Sequence, residues 1–303
     1  MSARTRKRGI RFEQLPTERA HRRSPALDRL SPVQIARAMN RADLEAVRAV
    51  GRAAPVIGRA VELIARALAK GGRLIFVGAG TSGRLGVIEA AECPPTFGTA
   101  PRMVQAVIAG GRRAVFRSSE GAEDDARAGA RQIRRRACAA DTVVGIAASG
   151  VTPFVRAALE TARRRGAATI LVTSNRRVPR NAARVVIVLD VGPEILAGST
   201  RLKAGTAAKL ALNTLTTATF AQLGKVYGNR MVDLRPGSAK LRARALALVR
   251  ELGRVDDREA VRLLRAAGDS AKLAIAMARL RVGAREARQV LRGAGGSLRQ
   301  ALE

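Results

Sequence analysis

Between residues 73 and 191 five short, continuous apolar runs alternate with helical patterns, and this alternation constrains the fold more than any other feature of the chain. The runs "RLIFVGAG", "MVQAVIAG", "TVVGIAASG", "ATILVTSN" and "RVVIVLDVG" lack the in-out alternation of a half-exposed strand, so they predict strands buried on both faces. The segments between them, "SGRLGVIEAA", "AEDDARAGARQIRRRA" and "TPFVRAALETARRRG", carry helical spacing. The expectation is an α/β fold with a doubly wound parallel sheet, whose ligands sit beyond the carboxyl ends of the strands. Flanking segments are helical. Ser31 and Pro32 open one helix as N-cap and first residue, a second is expected over residues 54–69, and Glu92 is expected past a helix end, before Pro94 and Pro95. A long helix is expected to end at Gly224, and four short ones fill the last sixty residues. The predicted organisation is an amino-terminal arm and helix over 1–53, a sheet domain over 54–238 and a small helical domain over 239–303.

The first strand runs into Gly78-x-Gly80-x-x-Gly83, which has the spacing of a dinucleotide fingerprint. That ligand also requires an acidic residue at the end of the second strand, to bind the ribose hydroxyls. The second strand ends "VIAGGRRAVF" instead. Arg112 and Arg113 suit only a phosphorylated dinucleotide, so the oxidoreductase reading is weak.

The loop residues point to a smaller anion. Thr81 and Ser82 place hydroxyls beside Gly80 at a helix start, where backbone N–H groups and the helix dipole favour a phosphate. Ser149, Gly150 and Thr152 repeat the design after the third strand, and Ser199 and Thr200 precede a helix whose first turn carries Lys203. Each corner alone is an ordinary helix cap. Three at one sheet edge predict a phosphorylated polar ligand such as a sugar phosphate.

The formal net charge of +32 invites a nucleic-acid reading. Lysine supplies only seven of the 56 basic residues, and the arginine excess, with abundant alanine and glycine, follows a GC-rich coding bias along the whole chain. Aromatic residues make up 2%, too few for the stacking platforms of a single-strand binder, so no specific nucleic-acid partner is expected. Cys93 and Cys138 form neither a metal-ligand pattern nor a disulfide framework. No run has the length of a membrane span and the amino terminus has no secretory pattern, so a cytoplasmic protein away from membranes is expected.

Taken together, "GAGTSGRLGVIEAAECPPTFG", "EGAEDDARAG", "GIAASGVTPF", "GPEILAGSTRLKAGTAAKLALNTLTT" and "GKVYGNRMVD" resemble N-acetylmuramic acid 6-phosphate etherases, of the sugar isomerase (SIS) domain superfamily. The resemblance runs from about Thr17 to the carboxyl terminus. It implies cleavage of the D-lactyl ether of N-acetylmuramate 6-phosphate to N-acetylglucosamine 6-phosphate and D-lactate in cell-wall recycling, by a homodimer with no metal or organic cofactor. It also implies that Glu92 of "ECPP" and Glu123 of "EGAED" carry the acid and base chemistry. Glu92 is assigned to the departing lactate and Glu123 to the C2 proton, although the two roles are exchangeable. The substrate contacts are expected from Gly80, Thr81, Ser82, Ser149, Thr152, Ser199, Thr200 and Lys203.

Other acidic residues and the single histidine, His21, are not assigned to catalysis; Glu89 is expected to be structural. Val151 departs from the arginine that the family usually places after the "AASG" loop. Regulatory proteins of the same superfamily bind sugar phosphates without turnover, which is the rival expectation.

Overall fold

The computed structural model describes residues 18–20, 26–234 and 236–303. His21, Pro16 and Pro25 lie outside them. The first long element, α1, spans Pro32–Ala69 without a break. Ser31 caps it in a reciprocal box: its hydroxyl accepts the Gln34 N–H, and the Gln34 side chain accepts the Ser31 N–H. The expected second start at residue 54 is absent, and the expected division at 53/54 falls inside this helix. Pro55 lacks an N–H, yet it lies on the exposed face, where water can satisfy the carbonyl it leaves unpaired.

Then follow β1 (Leu74–Gly78), α2 (Gly80–Phe97), β2 (Val104–Ile108), α3 (Arg113–Phe116), α4 (Ala126–Arg134), β3 (Thr142–Ile146), α5 (Pro153–Arg164), β4 (Ala168–Thr173), β5 (Val185–Val188) and α6 (Lys203–Gln222). A two-stranded hairpin, β6 (Val226–Tyr227) and β7 (Arg230–Met231), leads into α7 (Ala239–Gly253), α8 (Asp257–Ala266), α9 (Ala271–Leu280), α10 (Ala284–Gly293) and α11 (Leu298–Leu302). The hairpin and α11 were not foreseen, being too short to show a period.

All five main strands are parallel, in the order β2-β1-β3-β4-β5. Alternate residues face opposite layers. Leu74, Phe76, Val144, Ile146, Ile170 and Val172 pack beneath α1 and α6, whereas Ile75, Val77, Val143 and Leu171 pack against α4 and α5. The order reverses between β1 and β3, so a ligand crevice is expected where Gly78 and Ile146 end side by side. The carboxyl-terminal helices form their own core around Leu248, Leu263, Ile275 and Leu298. Lys272 joins that core to the sheet layer by donating to the Gly224 and Gly296 carbonyls and to Asp233.

The glycine triad is explained by packing. A Cβ at Gly78 would lie 2.6 Å from the Gly83 nitrogen, and one at Gly83 would lie 2.5 Å from Ile108 Cγ1. Gly80 has φ +51°, a left-handed value that suits glycine. The three residues let α2 start against the sheet, whatever the ligand.

Candidate active site

The three hydroxyl-bearing corners are unequal once folded. At the start of α2 no side chain among the described residues caps the helix, which leaves the first-turn N–H groups beside Thr81 and Ser82 as an anion site. At the β3–α5 corner, Ser149 and Thr152 hydroxyls approach to 3.5 Å, and Ser149 Oγ accepts the Val151 N–H at 3.3 Å. This loop is pinned from β4: Thr173 Oγ1 donates to the Ala148 carbonyl at 3.1 Å, and Asn175 Nδ2 to the Ser149 carbonyl at 2.8 Å. Neither Thr173 nor Asn175 was singled out from sequence, because their partners lie 25 and 26 residues away.

The third corner is filled from within. Glu194, fully buried, accepts the Lys203 and Ala204 N–H groups at 2.9 Å each. Burial raises its carboxyl above the ordinary range, and the two N–H bonds with the Lys203 charge oppose that shift. The expected role of Lys203 therefore needs correction. Its side chain is 1% exposed, with Nζ 2.6 Å from Glu45 Oε2 and 2.8 Å from the Val191 carbonyl. A buried ammonium requires such partners, and these hold α6 to α1 instead of meeting a ligand. Ser199 and Thr200 stay close to the first corner. A Cβ built on Gly205, in the first turn of α6, would lie 3.5 Å from the Thr200 carbonyl and 3.6 Å from Thr81 Cγ2.

Glu92 lies inside α2 and not beyond it, with Pro94 and Pro95 in the last turn. Stacking of Phe97 on Phe220, 4.7 Å between centroids, secures that turn against α6, and Gly98 ends it in the left-handed conformation. Glu92 is exposed. Among the described residues its carboxylate has no hydrogen-bond or ion-pair partner. Glu123 is likewise exposed and lies in the turn before α4, where Asp125 is the N-cap and its carboxylate accepts the Ala128 N–H. The Glu123 carbonyl accepts the Phe154 N–H at 3.0 Å, fixing this turn beside the β3–α5 corner.

Glu89, one turn before Glu92, is structural as expected: it is 4% exposed, pairs with Lys209, and accepts from Thr216 Oγ1 at 2.8 Å. Cys93 is buried beside this group, and burial, then Glu89 and Glu92, push its thiol up to about 12, against the pull of Lys209. It stays protonated and is no nucleophile. A groove of 640 Å³ along the free edge of β2 is lined by Val104, Val107 and Phe116 and holds none of the expected site residues. No group of metal-ligating side chains occurs among the described residues, and no described helix is long and apolar enough to cross a membrane.

The N-acetylmuramic acid 6-phosphate etherase of Microcystis aeruginosa is 47% identical over 270 residues, covering 88% of this chain and 87% of that protein. That of Symbiobacterium thermophilum is 49% identical over 267 residues, covering 88% and 89%. The chain belongs to the N-acetylmuramic acid 6-phosphate etherase family. A family model described as the glucokinase regulatory protein N-terminal SIS domain matches residues 56–163, the part of this etherase that holds β1, α2, β3 and both glutamates. Among solved structures, a phosphoheptose isomerase from Francisella tularensis is 16% identical with a TM-score of 0.49, covering 63% of this chain and 98% of that one.

Proposed function

We propose that this etherase cleaves the D-lactyl ether of N-acetylmuramate 6-phosphate, yielding D-lactate and N-acetylglucosamine 6-phosphate in cell-wall sugar recycling. The observation that carries the reading is the pair Glu92 and Glu123: both carboxylates are exposed, and neither is held by a partner among the described residues. In the open-chain sugar the C2 proton is acidified by the C1 aldehyde. Glu123 removes it, the C3–oxygen bond breaks, and Glu92 protonates the departing oxygen. The unsaturated aldehyde then takes up water at C3: Glu92 accepts a proton from that water, and Glu123 returns one to C2. Both carboxyl groups end as they began. The phosphate rests at the start of α2, with Gly80, Thr81 and Ser82, and against Ser149 and Thr152, while Ser199 and Thr200 line its flank.

Helix geometry supports a homodimer. Ser82 and Glu92 are ten residues apart on one helix, a rise of about 15 Å. Six bonds link phosphorus to the ether oxygen, spanning about 8 Å at covalent distances. The cradle of one protomer therefore works with the Glu92 of its partner, in the cytoplasm where the phosphorylated sugar is available.

The test is direct. Purified protein releases D-lactate from N-acetylmuramate 6-phosphate in deuterated water, and the product carries deuterium at C2. Glu92→Gln and Glu123→Gln each lower kcat by about 10²-fold or more without changing the melting temperature. Absence of lactate across a range of pH would sink the proposal, and sugar-phosphate binding without turnover would favour the regulatory alternative.

A further inference from the structure

Lys209 projects from α6 to the turn of α2 that carries the acid. Its ammonium is oriented by Glu89 and by Asn213, whose Oδ1 lies 2.6 Å away. An ammonium has three donors, and these contacts engage two of them. The side chain is 35% exposed, so the remaining donor has access to the surface. Glu92 follows Glu89 by three residues, on the same side of the helix. Cys93 neighbours Glu92 on α2, one turn from Glu89, and Lys209 reaches this turn from α6 through its ion pair with Glu89.

The substrate carries a second anion besides its phosphate. The lactyl carboxylate is attached to the carbon bonded to the ether oxygen, so an acid that protonates this oxygen has that carboxylate for a neighbour. A carboxylate brought beside Glu92 without a cation would carry a desolvation penalty. We infer that Lys209 binds the lactyl carboxylate and selects N-acetylmuramate 6-phosphate over sugar phosphates that lack it, an inference that rests on the etherase reading above.

The charges also account for release. While Glu92 carries the proton it will donate, Glu89 and Lys209 cancel, and the third donor of Lys209 attracts the carboxylate. After donation Glu92 is negative, so the cluster carries a net negative charge and repels the free lactate. Fixing of the ammonium before the ligand arrives limits the ordering cost of binding.

The test uses the full-length Glu123→Gln protein, which binds substrate without turning it over, titrated by calorimetry with N-acetylmuramate 6-phosphate and with N-acetylglucosamine 6-phosphate. Adding Lys209→Met is expected to weaken the first by about 30-fold, the scale of a hydrogen bond to a charged group, and the second by less than about threefold. Lys209→Arg is expected to recover part of the lost discrimination. If Lys209→Met does not fold because Glu89 is left unpaired, the neutral pair Glu89→Gln/Lys209→Met is expected to show the same selectivity loss. Equal weakening of both sugars, or of neither, overturns the role of Lys209. Failure of the Glu123→Gln protein to bind either sugar overturns the etherase reading as well.

Discussion

Glu194 Oε2 accepts the Lys203 backbone N–H at 2.9 Å, and with its other oxygen on Ala204 the carboxylate occupies the amino-terminal end of α6. The place where an anion would otherwise bind is filled by the chain itself. Glu194→Gln keeps one acceptor oxygen and turns an amide donor toward the second N–H. We expect a loss of about 1–3 kcal/mol, the cost of an unsatisfied buried group, in a urea unfolding curve. An unchanged midpoint would mean that water serves these N–H groups equally well.

The proposed contribution of Glu92 across a dimer has its own signature. Glu92→Gln and Ser82→Asp homodimers are both expected to be inactive, the second because a carboxylate takes the phosphate position. Unfolding and refolding them together produces hybrids with one intact site, and in a random two-fold mixture about a quarter of wild-type activity returns. Hybrids that form without activity would place acid and cradle in the same protomer.

Asp141 ties the amino-terminal edge of the sheet together. It accepts from Arg73 N, Nε and Nη2 and from Cys138 N, at 2.8, 3.1, 2.7 and 2.8 Å. Burial alone would raise its carboxyl, but these hydrogen bonds outweigh burial and hold it below the ordinary range. A depressed folded value means the stabilisation is complete above the unfolded value of about 3.9 and fades as pH falls through the lower folded value. Asp141→Ala is therefore expected to cost about 3 kcal/mol at neutral pH. That difference should shrink in melts below about pH 4.

Two glycines predict opposite outcomes. Gly83→Ala drives a Cβ against Ile108 and the Gly78 carbonyl, 2.8 Å away, and is expected to cost about 1–3 kcal/mol while disturbing the corner proposed to hold the phosphate. Gly58, inside α1, has nothing within 4 Å of a built Cβ. Gly58→Ala should gain up to about 1 kcal/mol from helix propensity alone. Calorimetric melting of both variants checks the pair.

The chain's sequence by itself determined the sheet. Runs such as Leu74–Val77 and Val143–Ile146 are apolar at every position except Gly145, and only a strand covered on both faces satisfies such a pattern. It also determined the Ser31 cap, whose partner lies three residues away, and the motifs that resemble etherases, including Glu92 and Glu123. Tertiary structure decided what depends on distant partners. Pro94 and Pro95 read locally as a stop, yet the Phe97–Phe220 stack holds the last turn of α2 and keeps Glu92 on the helix. The corners at Thr81, Ser149 and Thr200 looked alike because capping chemistry is local. Only the fold brought Glu194 onto α6, Glu45 onto Lys203 and Lys209 onto Glu89, the last pair 120 residues apart in sequence. Burial decides which polar groups must find partners within the chain, and local sequence does not fix burial or the side chains it brings together.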